Sequence, residues 1–504
     1  MNTNVTGPSA DTTVVGLTRL AGLVAARMGL HFPDTRHKDL LRGARALAKE
    51  QGAKDPEAYL QSLVDSPLSD RQIEILTAHL TVGETYFFRE MKSLDAFRDH
   101  VIPELLGERT GVAQRLRIWS AGCSTGEEAY SIAMLLSDMI PDLHAGGIHI
   151  LATDINAQAL EKARRGVYSE WSFRSMPDVL RGRYFTALDP KTFAIKPRFA
   201  EMVSFAGLNL ATDIYPSLLN ETNAMDVIFC RNVLMYLAPD LVLKIIEAFH
   251  HCLVEGGWLI VAPSETSLLR GSAFVPVSFE GATLYRKTTL TPPSRPERRP
   301  KPPAAAPPTI RTTRPVAAPP PPPPPIIQPP ASPYEAAAAA YHAGRYVDAA
   351  AMVRTLIDAR PPAGYGQDVA GKAFALMARI EANQGKLDQA LEWANKAIVA
   401  DKINPGCYYL LATILEEQNR PSEAVQALSR ALYLDPAFVL AHYTLGTIAL
   451  REQGRQAAAR HFQNASAVLI RLPKHELLPE SEGMTAGRLL EIIGSMTGQE
   501  GTPS

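Results

Sequence analysis

The chain has 504 residues, with 51 Lys and Arg against 52 Asp and Glu and a formal net charge of −1. That length holds two to four domains with substantial cores, and the charge balance gives no reason to expect nucleic acid or a membrane surface as partner. The four cysteines, Cys123, Cys230, Cys252 and Cys407, make no CxxC pair or Cys/His cluster, so neither a metal site nor a disulfide framework is indicated, and reduced thiols fit a cytoplasmic protein. Arg19 and Arg27 interrupt the apolar stretch near the start. A signal peptide is therefore not expected, and no run approaches the ~20 apolar residues needed for direct membrane insertion.

Residues 12–85 read as an all-helical N-terminal domain. Leu17, Leu20, Ala21 and Val24 recur at helical spacing, and segments around 38–49, 56–64 and 69–80 do the same, with Asp55-Pro56 and Ser69 as starts. The second segment is basic, with Arg36, Lys38, Arg42, Arg45 and Lys49. A charged helix face is usually a solvated face, and contact with an acidic partner is the sharper reading.

A second domain is expected over residues 86–288, of which 116–287 alternate strand and helix. Strands are expected at 116–121, 149–153, 203–206, 226–230 and 258–262, with helices at 129–140, 157–165 and 241–253. Segments 274–279 and 283–287 read as a closing antiparallel pair across Glu280-Gly281. Such alternation implies a mostly parallel sheet wrapped by helices.

Composition then breaks sharply. Residues 292–333 hold 19 of the 40 prolines, and proline fixes φ and removes the amide donor, so residues 289–333 are expected to be an extended linker. At ~3.1 Å per residue, residues 292–333 could reach up to about 130 Å; a plain spacer is the simpler reading, a ligand for an SH3-like domain the sharper one.

Beyond it the sequence repeats. Ala378, Ala412 and Gly446 are 34 residues apart, as are Ala390, Ala424 and Ala458, and Ala397, Ala431 and Ala465. This period, with Pro405 and Pro436 between units, resembles the tetratricopeptide repeat. The repeats are expected over 334–472, with Trp393, Tyr409, Leu411 and Phe462 as inter-helix core. A helix near 484–497 within the tail, 473–504, would cap the stack. Such solenoids bind peptides or proteins in a groove and rarely do chemistry.

In doubly wound sheets, ligands lie beyond the carboxyl ends of the strands. The first strand runs into Ser120-Ala121-Gly122-Cys123-Ser124-Thr125-Gly126-Glu127-Glu128. Gly122 and Gly126 allow close backbone approach. No Gly-Lys-Ser/Thr follows, so this is not a Walker loop, and GxGxxG is matched poorly. Two glutamates at the helix entrance would repel a pyrophosphate and suit a cation such as a sulfonium, although a single glutamate there can merely complement the helix dipole. The second strand ends in Thr153-Asp154-Ile155-Asn156, where a carboxylate can accept from both hydroxyls of a ribose. Spacing alone does not separate a nicotinamide dehydrogenase from a methyltransferase; the missing GxGxxG and the closing antiparallel pair favour the latter.

An ordered motif set goes further: Thr85-Tyr86-Phe87-Phe88-Arg89-Glu90, Trp119 through Ser131, Thr153-Asp154-Ile155, Leu208-Asn209-Leu210, and Phe229-Cys230-Arg231-Asn232-Val233-Leu234-Met235-Tyr236. Over about residues 12–288 the chain resembles the chemotaxis receptor glutamate methyltransferases, the CheR family, and the appended repeats resemble a subclass of it found in chemosensory systems. The resemblance implies a helical N-terminal domain, a Rossmann-like methyltransferase domain, S-adenosylmethionine as cofactor with S-adenosylhomocysteine as product, and a methyl-accepting chemotaxis-type receptor as partner. Position by position it implies cofactor contacts at Thr85, Arg89, Gly122, Glu127, Asp154, Asn209, Leu210, Arg231 and Asn232. It puts Tyr236 near the transferring methyl and receptor contact at Arg36, Lys38, Arg42 and Arg45. Gly83 stands where the family often has Asn, which puts that contact in doubt. For Arg231 and Asn232 a strand-end hydrogen-bond network is the blander alternative.

The implied reaction also accounts for what the motifs lack. A glutamate side chain, with a pKa near ~4.3, is ionised at neutral pH and attacks a sulfonium methyl without a general base or metal. Two other readings remain open: a methyltransferase of the same fold with a different substrate, and a scaffold whose catalytic half has decayed.

Overall fold

The computed structural model describes residues 10–65, 68–108, 115–140, 147–288, 332–358 and 367–497. The Pro-rich stretch expected as a linker lies, through residue 331, outside the described residues. Its last two positions do not belong to a linker: the Ser332 hydroxyl accepts from Glu335 N at 3.2 Å and caps a helix that Pro333 opens, a position where the missing proline donor costs nothing.

Among the described residues four α-helices come first: α1 (Ala10–Met28), α2 (His37–Glu50), α3 (Pro56–Asp65) and α4 (Asp70–Leu80). Ser69 and Gln72 cap α4 reciprocally, backbone to side chain in both directions, at 3.3 and 2.8 Å. Leu20 and Val24 of α1, Leu40 and Leu47 of α2 and Leu76 of α4 join one apolar cluster with Trp119, Leu151, Ile228 and Leu259 of the central sheet. The helical region thus shares a core with one face of that sheet. A backbone seam reinforces the join: His31 N donates to Tyr236 O at 2.8 Å and Ala238 N to Gly29 O at 3.1 Å.

Helices α5 (Met91–Ala96) and α6 (Ile102–Glu108) follow, joined by a π-helical turn. The central strands are β1 (Leu116–Ala121), β2 (Ile148–Asp154), β6 (Val203–Gly207), β7 (Met225–Cys230), β8 (Leu253–Val261), β9 (Val275–Phe279) and β10 (Ala282–Arg286). Their order is β6-β2-β1-β7-β8-β10-β9, parallel from β6 to β8 and antiparallel across β8, β10 and β9. Helices α7 (Glu127–Met139), α8 (Ala157–Arg165) and α11 (Pro239–Cys252) connect the strands. Strand order reverses at β1, so its carboxyl end opens between β2 and β7.

Between β2 and β6 lies a small second sheet that sequence patterning did not indicate: β3 (Val167–Ser169), β4 (Phe185–Ala187) and β5 (Thr192–Ile195), in the order β3-β5-β4, with α9 (Asp178–Tyr184) and α10 (Pro197–Ala200) beside it. Strands of three or four residues are too short to show a period of two. Packing holds the unit instead: the Phe87 ring lies 4.9 Å from Tyr168, 5.2 Å from Phe173 and 4.9 Å from Phe185.

The repeats form four helix pairs: α12 (Pro333–His342) with α13 (Tyr346–Asp358), α14 (Gln367–Asn383) with α15 (Leu387–Ala400), α16 (Pro405–Glu417) with α17 (Pro421–Leu434), and α18 (Val439–Glu452) with α19 (Arg455–Leu469). The small residues of the 34-residue period sit where helices cross. At Gly446 a side-chain carbon would lie 2.6 Å from the Phe462 ring. Helix α20 (Ala486–Thr497) closes the stack with Leu489 and Ile493. Before it the chain turns back across the first helices of the pairs: Glu480 pairs with Arg379 of α14, and Glu482 takes hydrogen bonds from the Tyr341 hydroxyl of α12 and, at 3.2 Å, from Leu218 N of the α/β region. No described helix is long and apolar enough to cross a membrane.

Candidate functional site

An open cleft lies beyond the carboxyl ends of β1 and β2. Its floor is the loop after β1. Gly122 has φ +82° and lies so close to Val233 that any side chain would collide with it, and Gly122 N and Cys123 N both donate to Thr153 O, at 2.7 and 2.9 Å. Ser124 follows with φ +50°, and its buried hydroxyl has no hydrogen-bond partner.

Asp154, at the end of β2, accepts from Ser124 N and Asn156 N, each at 2.8 Å, on different carboxylate oxygens. Burial raises its pKa against these bonds. Each oxygen keeps a lone pair, and Asp154 lines the cleft. Beside it, Asn209 donates from its backbone to Asp213 at 2.7 Å and from its side chain to Arg27 O at 2.8 Å, and Leu210 O accepts from the Tyr215 hydroxyl at 2.8 Å.

The opposite wall is ionic. The Arg231 side chain is 2% exposed and pairs with Glu90 and Glu128, both at 3.3 Å. It also donates to Arg89 O. Its Nε is buried without a partner. Burial pushes the Glu128 carboxyl up in pKa, opposed chiefly by the Arg231 guanidinium. Asn232, at φ +59°, donates to Glu90 at 3.2 Å. Its backbone N–H and those of Val233, Met235 and Ala262 all end on Glu265, at 2.8, 2.8, 3.2 and 3.1 Å. One fully buried carboxylate therefore ties down the whole turn after β7.

The expected site residues separate into three groups. Thr85, Arg89, Gly122, Asp154, Asn209, Leu210, Arg231, Asn232, Tyr236 and Arg36 all line the one cleft. Glu127 does not: it is 3% exposed and bonded to Thr125 at 2.6 Å and Ser172 at 3.0 Å, on the side facing the small sheet. The next residue, Glu128, is the one that reaches the cleft. Lys38, Arg42 and Arg45 lie along the exposed face of α2, outside the lining, with Arg42 paired to Asp39 at 3.1 Å. Arg36 precedes that helix, in a 3-10 turn, and its guanidinium lies 5.7 Å from the Tyr236 ring and 4.8 Å from Phe32. The strand-end network weighed for Arg231 and Asn232 is present, and both residues also line the cleft. Sequence reasoning weighed Glu128 together with Glu127 as a pair suited to a cation, and passed over Glu90, Ser124 and Glu265. Glu90 and Ser124 stand inside the motifs named above; Glu265 had no signal at all.

The groups present fit a cationic nucleoside: spare acceptors at Asp154, a partly buried carboxylate at Glu128, an orphaned hydroxyl at Ser124, and a floor with no room for side chains at Gly122.

Comparison with known proteins bears on the same residues. Residues 83–275 match the family described as CheR methyltransferase, SAM binding domain, and residues 405–438 match a tetratricopeptide repeat. A chemotaxis protein methyltransferase of Borreliella burgdorferi is 31% identical over 258 residues, 51% of this chain and 89% of that protein. A probable chemotaxis protein methyltransferase of Rhizobium etli is 36% identical over 230 residues, covering 45% of this chain and 83% of its own. The probable biofilm formation methyltransferase WspC of Pseudomonas aeruginosa is 28% identical over 466 residues, 89% of this chain and 98% of that protein, so the match runs through the repeats. The chain therefore belongs to the CheR family of S-adenosylmethionine-dependent methyltransferases, with a tetratricopeptide region appended.

Proposed function

We propose that the protein methylates glutamate γ-carboxylates of methyl-accepting chemotaxis-type receptors. The observation that carries this reading is the cleft itself: acceptors suited to a nucleoside at its inner end, Arg36 and Tyr236 at its rim, and a basic helix face outside. The names of the relatives support the substrate class, and the biofilm name of the repeat-bearing relative widens it from swimming to chemosensory signalling.

Asp154 would accept from the ribose hydroxyls on its two remaining lone pairs. Thr85, Asn209 and Leu210 border the same end. Glu128 would face the cationic part of the cofactor, which compensates a carboxylate that burial alone disfavours. Arg231 acts through the wall, holding Glu90, Glu128 and the Arg89 carbonyl in one arrangement, and Arg89 is itself anchored to Glu84 O at 2.6 Å. When bound, S-adenosylmethionine supplies an electrophilic methyl that an ionised carboxylate accepts directly. Arg36 and Tyr236 would orient that carboxylate and exclude water from it; Lys38, Arg42 and Arg45 would steer the acidic receptor segment by charge. The repeats would recruit a protein partner of the same pathway.

The test is transfer of labelled methyl from S-adenosylmethionine by the full-length protein to purified receptor cytoplasmic fragments. Label released by mild alkali, as an ester requires, is expected, along with receptor affinity that falls as salt rises. Label that survives alkali would refute the carboxylate acceptor.

A further inference from the structure

Helix α20 does more than close the repeats. One of its faces sends Leu489 and Ile493 into the repeat core. From the other, Arg488 reaches into the α/β region and grips Asp213 with both arms of its guanidinium, Nε to Oδ1 at 3.0 Å and Nη2 to Oδ2 at 2.7 Å. It also approaches Gly207 O at 3.4 Å and pairs with Glu491 at 2.9 Å.

Asp213 is not a bystander. The oxygen that meets Arg488 Nη2 also accepts from Asn209 N at 2.7 Å, and Asn209 lines the cleft. Gly207 ends β6 opposite Asp154 in the strand register. Arg488 thus touches both ends of the loop 207–213, whose middle borders the cleft. The side chain of Asn209 ties the same loop to α1 through Arg27 O. One anchor comes from the N-terminal helices, the other from beyond the repeats.

We propose that Arg488 is a positioning residue for the cofactor cleft, so that docking of the repeat region completes the binding loop. This rests on the cofactor reading of the cleft given above. A bidentate guanidinium–carboxylate pair fixes the plane of Asp213, and that plane sets where the Asn209 amide, and with it the Asn209-Leu210 edge, is held. Without Arg488 the loop keeps its tie to Arg27 but samples other positions of Asp213.

The test uses the full-length protein. Arg488→Ala should weaken S-adenosylhomocysteine binding five- to tenfold in calorimetric titration and raise the KM for S-adenosylmethionine by a similar factor, with kcat changed less than twofold. Arg488→Lys, which keeps the charge and loses the fork, should recover part of the affinity. Asp213→Asn cuts the same pair from the other side without touching the repeats and should act in the same direction. Amide exchange over 208–213 in the ligand-free protein should quicken in all three variants. A helix that only caps the repeats predicts unchanged affinity and unchanged exchange in that loop, and either result in a folded variant overturns the proposal. A wild-type protein that binds no S-adenosylhomocysteine, with exchange still responding to Arg488, overturns the cofactor reading instead.

Discussion

The cleft at the strand ends and the contacts that cross the repeats are finished differently. At the strand ends, the hydroxyl of Ser124 and the Nε of Arg231 are buried without partners, and the Asp154 oxygens are met by backbone donors alone. Where the segment before α20 crosses the repeats, the cation and hydroxyl are met by the chain itself, while Asn383 Oδ1 and the Nδ1 atoms of His442 and His461 are buried without partners. Arg379 pairs with Glu480, and Tyr341 with Glu482 while also accepting from Asn383 at 2.8 Å. Beside the cleft, such open atoms are available to a bound molecule. A groove whose cation already holds a carboxylate of its own chain offers a partner only what that segment gives up.

The largest effect should come from the side chain that joins most of the cleft. Replacing Arg231 with Ala leaves Glu90 and Glu128 facing each other without their cation, and breaking a buried pair in this way costs about 3–5 kcal/mol. Denaturant unfolding of the Arg231→Ala variant should show that loss in the α/β region, together with no detectable S-adenosylhomocysteine binding. Near wild-type stability would mean that the cleft wall stands without its ion pairs.

Most of the architecture could be read along the chain, and the failures have a common cause. Strand β1 was legible because Leu116, Ile118, Trp119 and Ala121 concentrate apolar side chains in six residues that are all buried; the repeats were legible because three registers share one period. What escaped depends on how a residue is turned or on what lies far away in sequence. Glu127 and Glu128 are neighbours in one helical turn, and only the packing of α7 decides that the second meets Arg231 while the first turns to Ser172. The bonds to Glu265 span about thirty residues, those joining Arg379 to Glu480 span 101, and those joining Asp213 to Arg488 span 275. No local pattern encodes any of them.

Acid should separate the two regions next. His250, on α11, lies against the Phe274 ring at 5.2 Å and near His251 and Lys287. Burial, with the Lys287 charge added, lowers its pKa from 6.5 to about 4. The folded state therefore resists a proton that the unfolded state accepts below pH 6.5. This contribution is complete above 6.5 and is lost as pH falls from there through about 4. The full shift, discounted for partial exposure, amounts to about 2 kcal/mol. His250→Phe should flatten that part of the stability profile; an unchanged profile would assign the acid loss elsewhere.

A smaller effect is expected at the groove. Arg379→Ala removes the partner of Glu480, whose side chain is 34% exposed, so solvent takes up much of the difference and the cost should be about 1–2 kcal/mol. It should appear in the repeat transition of a helix melt, with S-adenosylhomocysteine affinity within twofold of wild type because Leu489 and Ile493 still hold α20 in place. An equal fall in affinity would show that the segment 470–485, and not α20 alone, carries the link between the two regions.

The smallest change tests the rim of the cleft. Tyr236 contributes two separable things: its backbone carbonyl holds His31 N at 2.8 Å in the seam between helices and sheet, and its ring lies beside Arg36. Tyr236→Phe keeps the carbonyl and the ring and removes the hydroxyl alone. If the hydroxyl orients the incoming carboxylate, turnover should fall about tenfold, or ~1.4 kcal/mol in the barrier, with S-adenosylhomocysteine affinity unchanged. Equal losses in turnover and affinity would instead make the hydroxyl part of the cofactor site. The open cleft would then be open on one side only, and the carboxylate would have to be oriented by Arg36.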